Sequence, residues 1–489
     1  MKRTRFILSL ALTIILVSCG NDNVNTPEIS EITTQQNNVG TGSELTIDSL
    51  PDEDFGGADF NFLVCNGSQH SGYYIVKDIY AETLNADPFN DAVYERNRAV
   101  EEKYNIHITQ TYSDKVSDEV IKTVNAGDSP YDAVFDHHYA LYQLASQGYF
   151  VDFNRVNHLD MTAEWWDQNS IDNFNFAGRN YFITGDISTL DDTCTRLCLF
   201  NKKLIEDFKL ESPYDLIRSN NWTFDKFSEL VLAVSNDLDG DGVMKAGDQF
   251  GLISEASLTT TLFDALGGKF FTRNGDDFVF NAYSAESFER YEAIFNLLLN
   301  SDSCAYISNW SDKGGFSNVY TYARSLFTQD KFLFHLAGSA VFNEFRDMES
   351  DFGIVPPPKY TAEQDRYYCI VDPEAPMLAI SVTAPDLDRT GLILEAMAIE
   401  SCNTVTPAFN ETLLKRKYAR DDESAEFLDI IAKSSSYSVA RTTQWGNLYN
   451  ILSTAASQNR QPAVSDFAAV KAQTEAQIEQ AMELFDSLE

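Results

Sequence analysis

The sequence predicts an α/β chain of two lobes, each a mainly parallel sheet flanked by helices, with a C-terminal helical segment. Three observations predict it. Strand-like and helix-like stretches alternate over residues 58–148, the pattern of βαβ units. A second alternation opens at Leu197 and runs to Ser401. No Pro/Gly-rich linker divides the two, so the chain passes between lobes more than once.

At the N-terminus, Lys2, Arg3 and Arg5 precede an apolar run at 6–17, broken only by Ser9 and Thr13. The run is shorter than the roughly 20 residues of a membrane span and fits the apolar part of a secretory signal. It ends in Leu16-Val17-Ser18-Cys19-Gly20, which resembles the bacterial lipobox. That resemblance implies loss of residues 1–18 and a diacylglyceryl group on the Cys19 thiol. The alternative is an ordinary signal peptide with a chance Cys. Residues 19–54, mostly Asn, Thr, Ser, Glu and Gln, lack the apolar surface to bury a core and form a flexible tether.

The folded part opens with a strand at 58–65. A helix at 91–104 follows, with Ala92, Val93, Val100 and Tyr104 on one side. Next come a strand at 106–112, a helix at 118–125, a turn at 127–130, a strand at 131–135 and a helix at 139–147 closed by Gly148. Ligands of such sheets gather at the carboxyl ends of strands. Those ends are Asn66-Gly67 and Asp136-His137-His138. The second alternation gives a strand at 197–200 and helices at 202–208, 223–235, 285–299 and 319–327. A strand and Pro run follow at 352–358, a strand at 377–382 and an amphipathic helix at 387–401. The expected lobes are 55–190 with 376–408 returning to it, and 191–375 with 409–489 packing on it.

Composition narrows the function. The 489 residues correspond to roughly three domains at about 150 residues each, or two large ones. Hydrophobic residues at 44% exclude a disordered chain. The 36 Lys and Arg against 74 Asp and Glu, a net charge of -38, argue against a phosphate backbone as the main partner. The same charge repels anionic lipid, so membrane attachment needs an anchor. Beyond Cys19, six Cys are scattered. Buried free thiols are expected, with one or two disulfides left open by the exported setting. Cys194-x-x-x-Cys198 lacks companions at zinc spacing.

Several local stretches carry a family resemblance. Ser129-Pro130-Tyr131-Asp132-Ala133-Val134-Phe135 and Gln147-Gly148-Tyr149-Phe150-Val151-Asp152 come first. Gly178-Arg179-Asn180-Tyr181-Phe182 and Leu199-Phe200-Asn201-Lys202-Lys203-Leu204 follow. Trp222-Thr223-Phe224-Asp225-Lys226-Phe227 and Phe352-Gly353-Ile354-Val355-Pro356-Pro357-Pro358 complete the set. With the lipobox and the βαβ start, this order resembles the extracellular solute-binding proteins of family 1, the receptors of bacterial ABC importers. The resemblance implies a type II periplasmic-binding-protein-like fold, a hinge between the lobes and a solute in the cleft. It also implies an ABC permease as partner and an extracytoplasmic, lipid-anchored, monomeric protein.

Asp237-Leu238-Asp239-Gly240-Asp241-Gly242-Val243, followed by Asp248, has the spacing of a calcium loop. With Asp237 as position 1, acids stand at 1, 3, 5 and 12, Gly at 6, and Val243 offers its carbonyl at 7. A hard cation needs several oxygens converging on one point, and the Gly lets the chain wrap around it. Lys245, at position 9, supplies no ligand. A structural Ca2+ is expected here, against a solvated acidic turn.

Candidate solute contacts are Trp445, Trp166, Asn66, Asp136, His137, Asp186, Ser339 and Asn343. Trp445 lies in Ala440-Arg441-Thr442-Thr443-Gln444-Trp445-Gly446, which resembles the sugar-stacking segment of maltodextrin receptors. A pyranose packs its C–H faces on aromatic rings, although a core Trp is equally compatible. Adjacent Trp165 and Trp166 suggest one ring in the core and one exposed. Trp222, beside N-cap Thr223, reads as structural, and Trp310 as a loop residue. The expected function is capture of a sugar or oligosaccharide, without catalysis. Rival readings are a polysaccharide-binding adhesin, a secreted glycosidase, or a receptor for a peptide. With 74 acids a carboxylate pair can always be nominated, and no Gly-x-Ser-x-Gly, His-Glu-x-x-His or P-loop pattern is present.

Overall fold

The computed structural model describes residues 46–67, 75–411 and 422–488, apart from the Asn343 and Asp422 side chains. Cys19 and the tether up to residue 45 lie outside the described residues. All described residues belong to one compact unit, Leu45–Glu489.

The first sheet has four strands, in the order Pro376–Ala379, Ala133–His137, Ala58–Cys65, Ile106–Ser113. The three strands nearest the N-terminus are parallel, and Pro376–Ala379 is antiparallel to Ala133–His137. Apolar runs such as Phe62-Leu63-Val64 are fully buried, as a sheet covered on both faces requires. The helix Pro88–Tyr104 starts where the Asp87 side chain accepts from the Phe89 and Asn90 amides, with Pro at the first position. It stops at Asn105, in the left-handed region at φ 49°. It buries Val93, Val100 and Tyr104 together with Arg96. Arg96 is satisfied by the Ile79 carbonyl (2.9 Å) and the Ser401 hydroxyl (3.1 Å), which ties this helix to Leu387–Asn403. A second tie is the ion pair Arg389–Asp132 at 2.6 Å. Residues 376–403 therefore pack on the first sheet.

The second sheet has six strands. Its main path is Phe352–Val355, Arg196–Asn201, Phe332–Gly338, Gln249–Ser254, Ser235–Asn236, and Cys304–Tyr306 also pairs with Gln249–Ser254. This sheet is mixed where a mainly parallel one was expected. Arg196–Asn201 runs antiparallel to both of its neighbours. Hydrophobic runs show that a strand is buried, not which way its neighbour points. Gln249–Ser254 lies hard against the helix Phe224–Leu232: a Cβ at Gly251 would stand 2.0 Å from the Val231 carbonyl oxygen. Only glycine permits that approach.

Several crossings join the sheets. The chain leaves the first at 194–196 and returns at 371–376; it is on the second again at Asp422–Ala432 and comes back to the first past Ser435–Ser436, which pairs with Cys369–Ile370. The first two crossings touch each other, with Thr195 bridged to Val371 and the Asp372 amide donating to the Cys194 carbonyl at 3.2 Å. The C-terminal segment was expected on the second lobe but spreads over both. Asp422–Ala432 lies against Phe352–Val355, where Tyr214 stacks on Phe427 and the Ile354 amide donates to Ser424. Val439–Thr443 instead packs on His138–Ala145, with Thr442 hydrogen-bonded to His138 at 2.8 Å. Phe485 of the last helix, Val464–Ser487, packs on Tyr142, Phe176 and Tyr181. No helix among the described residues is long and apolar enough to cross a membrane.

Candidate functional site: a cavity beside the lobe crossings

The largest cavity described has a volume of 730 Å³. One wall comes from the second sheet at strand carboxyl ends: Ile253 near the end of one strand with Glu255 just after it, and Leu336 to Gly338 at the end of another. The helix Val319–Phe327 adds Tyr320 and Arg324. The crossings supply Thr193, Cys194, Asp372 and Glu374. Arg441 and Tyr449 complete it, and the helix bearing Arg441 is seated on the first lobe. The cavity is thus built from both lobes and the segments that join them.

Its charges are mostly paired. Arg196 reaches Asp372 at 2.7 Å and Glu255 at 3.6 Å, and Arg324 reaches Glu344 at 2.7 Å. Burial pushes the Asp372 carboxyl up, but the charges of Arg196 and Arg441 outweigh it and hold the pKa down to about 2. His335 is neutral: burial, helped by Arg324 and Arg196, pushes its imidazole down to about 3. Burial raises the phenols of Tyr320 and Tyr449, so both keep their protons as hydrogen-bond donors. The Arg441 guanidinium lies 5.3 Å from the centre of the Tyr449 ring. Two buried polar atoms on cavity-lining residues, Arg441 Nη1 and His335 Nε2, have no hydrogen-bond partner among the described residues. A buried polar atom left so costs about 1–3 kcal/mol.

Sequence reasoning named other residues. Trp445 is 4% exposed, its ring set edge-on to those of Phe271, Phe278, Tyr142 and Phe176 at 5.4–6.3 Å. No ring face is open to a sugar, and Trp445 lines none of the described cavities. Its place is fixed by Gly446, which has φ 63° and where a Cβ would stand 2.0 Å from Thr474 Oγ1. Trp165 and Trp166 are both buried, and both indoles donate to one carboxylate, Glu395, at 3.2 and 2.9 Å. The split between core and surface fails because these residues sit in an irregular turn, where neighbours need not point to opposite sides. Asp186 accepts from Thr406 at 2.6 Å, in the packing of the first lobe. Ser339 donates to the Thr193 carbonyl at 3.3 Å, just behind the cavity wall. Asn343 lies in the helical turn Ser339–Phe345. Asn66, Asp136 and His137 do come together, around a separate hollow of 230 Å³ at the carboxyl ends of the first sheet. Trp222 is structural, its indole donating to the Pro356 carbonyl at 2.8 Å.

The residues that were missed have a partial signal. Glu255 follows a strand as Asn66 does, so the strand-end rule applied to the second sheet finds it. Arg441 lies in the heptapeptide already singled out, four residues before Trp445. His335 carries none, since its role depends on strand order.

The acidic loop folds as a tight turn. Asp237 accepts from the Gly240 and Gly242 amides at 2.7 and 2.6 Å, and buried Asp248 from the Leu238 and Lys245 amides, both at 2.9 Å. Carboxylate oxygens of Asp237, Asp239 and Asp248 lie within 4.8 Å of one another. The Lys245 ammonium pairs with Asp239 at 2.6 Å and also with Asp241. The loop follows the short strand Ser235–Asn236, since the helix before it ends at Leu232. All six described Cys are free thiols, five of them buried.

Comparisons with known proteins agree with this architecture. The cyclo/maltodextrin-binding protein complexed with maltotetraose aligns with a TM-score of 0.55 at 13% identity, over 88% of this chain and 99% of that one. The maltose/maltodextrin-binding domain from Bdellovibrio bacteriovorus bound to maltotriose gives 0.51 at 15%, over 86% and 100%. An ABC substrate-binding protein from Listeria monocytogenes in complex with cycloalternan gives 0.50 at 11%, over 87% and 98%. These likenesses show a shared fold, the two-lobed type II architecture of periplasmic binding proteins. A search of curated proteins finds no match. The family described as "Bacterial extracellular solute-binding protein" matches residues 95–398. With two adjacent crossings and a cavity walled by both lobes, the chain belongs to the bacterial extracellular solute-binding proteins, a family that works outside the cytoplasm.

Proposed function

We propose that this protein captures a sugar or oligosaccharide in the 730 Å³ cavity and presents it to the permease of an ABC importer. The observation that carries the reading is that one cavity is lined both by two phenols, Tyr320 and Tyr449, and by polar and charged side chains, among them Arg196, Glu255, Asp372 and Arg441. Rings for C–H faces and donors for hydroxyls are what a pyranose needs. The volume falls within the roughly 300–1,000 Å³ of small-molecule sites. Three proteins of the same fold are bound to maltotetraose, maltotriose and cycloalternan. A solute held by one lobe gains contacts from the other only when they close, and that difference shifts the population toward the closed form. The work is binding, with no bond made or broken. A thermal-shift screen of mono- and oligosaccharides, amino acids and peptides tests this. An oligosaccharide should raise Tm, the rise growing with the logarithm of its concentration above Kd, and a screen in which only peptides or amino acids do so rejects the sugar.

The same reading places Cys19 at the membrane as the lipidated N-terminus, supported by the order of basic residues, apolar run and Cys. Cys19→Ser should appear in the soluble fraction or remain uncleaved. Retention of that variant in membranes after alkaline washing rejects the anchor. We further propose that the acidic loop takes one structural Ca2+, with Lys245 displaced outward.

A further inference from the structure

We propose that Cys65, Asp136 and His137 form a binding site for a transition-metal dication of the Zn2+ class, at the carboxyl edge of the first sheet. The three donors are a thiol, a carboxylate and an imidazole, and one ligand atom from each lies within 4.8 Å of the others. All three residues are buried, at 4%, 5% and 6% exposure. Tetrahedral Zn2+, with bonds of about 2.0–2.3 Å, holds its ligand atoms roughly 3.3–3.8 Å apart. Small rotamer adjustments therefore suffice to close the set.

The topology explains the convergence. Val64 pairs with Phe135 in the parallel register, so Cys65 and Asp136 are the next pair along the two strands. Their side chains leave the same face of the sheet at its carboxyl edge. His137 ends its strand, and there its ring meets the Glu374 carbonyl, with Nδ1 2.5 Å from the oxygen. A carbonyl only accepts, so Nδ1 donates to it, and coordination of a metal falls to Nε2. A backbone carbonyl on the second nitrogen is the usual way a metal-binding His is oriented. Asp136 is oriented in the same manner, by the His137 amide at 2.9 Å and the Ser117 hydroxyl at 3.2 Å.

Donor chemistry and space both favour a cation. A bound dication takes the place of the Cys65 thiol proton and holds the sulfur as thiolate. The 230 Å³ hollow beside the three residues leaves a fourth position open to water or a small anionic or hydroxylated ligand. Soft sulfur with imidazole and carboxylate selects Zn2+ over Ca2+ or Mg2+, which separates this site from the acidic loop. The site adjoins the sugar cavity, since Glu374 lines that cavity and its carbonyl holds His137, but the two share no lining residue, and Zn2+ binding is read without sugar.

The test uses the whole chain, stripped with chelator under reducing conditions. Zn2+ titrated against a competing indicator should bind with one tight equivalent, and Co2+ should give an intense near-ultraviolet thiolate-to-metal band. Cys65→Ser should abolish the band and weaken Zn2+ at least a hundredfold. His137→Gln should weaken Zn2+ while some band remains at saturating Co2+. Asp237→Ala, in the acidic loop, should leave the band intact. No tight Zn2+ equivalent, a Co2+ complex without the thiolate band, or a band that persists in Cys65→Ser overturns the site. If Cys65→Ser melts too early to assay, unchanged Zn2+ affinity in His137→Gln overturns it alone.

Discussion

Residue identity and residue environment separate most clearly at Trp445 and Arg441. Both lie in one heptapeptide, and type alone favours the Trp as the sugar contact. The structure seals the indole among four rings and leaves the guanidinium on the cavity wall with Nη1 unpartnered. What decides this is local backbone. Gln444, Gly446 and Asn447 all have positive φ, and the resulting reversal turns residue 445 inward. Three such residues within four positions are not foreseeable from periodicity, because Gln rarely takes that region. Trp445→Ala should therefore act as a core truncation. It should cost about 3–5 kcal/mol of stability through the cavity it leaves, read as a lower denaturation midpoint. A well-folded variant that has lost only sugar affinity would return Trp445 to the binding face.

Elements were legible where local chemistry sets them. Two helix C-termini, at Tyr104 before Asn105 and at Ala126 before Gly127 at φ 73°, fall within a residue of those expected, whereas the starts at Pro88 and Val116 come three and two residues before the expected 91 and 118. Both C-termini express capping rules that depend on a few neighbouring residues. Strand direction was less legible, since Arg196–Asn201 has the same apolar run whether its partners are parallel or antiparallel. The acidic loop is the element whose function depends most on spacing. Its acids converge, but the Lys245 ammonium already pairs with two of them, so a cation must outcompete that contact. With Ca2+ bound, Lys245 is released to water and the two charges of the ion, shared by the converging carboxylates, replace its one. Chelation should lower Tm of the wild type, added Ca2+ should restore it, and Asp237→Ala with Asp241→Ala should melt alike with and without the ion. A wild-type melting curve indifferent to chelator and to Ca2+ would leave Lys245 as the only counter-charge the loop uses.

At the scale of the molecule, the two lobes and their repeated crossing were readable because βαβ alternation appears twice with no linker between. The cavity was not. Its walls come from residues as far apart as Thr193, Glu255, His335, Asp372 and Arg441, brought together only by the strand order of the second sheet and by the path of the C-terminal segment. That segment touches both lobes: Thr442 is bonded to His138 of the first, and the adjacent Arg441 lines the cavity. On the proposed function, Arg441 would couple solute capture to closure, its contact with the solute being made fully only when the lobes approach. The most direct test of this account is calorimetric titration of the wild type and of Arg441→Ala with the oligosaccharide that most raises Tm. The wild type should bind one equivalent. Arg441→Ala should stay folded and lose about 1.5–3 kcal/mol, roughly ten- to a hundredfold in affinity, the contribution of a charge-assisted hydrogen bond. Wild-type affinity retained in a folded Arg441→Ala, or no oligosaccharide bound by the wild type at all, would contradict it.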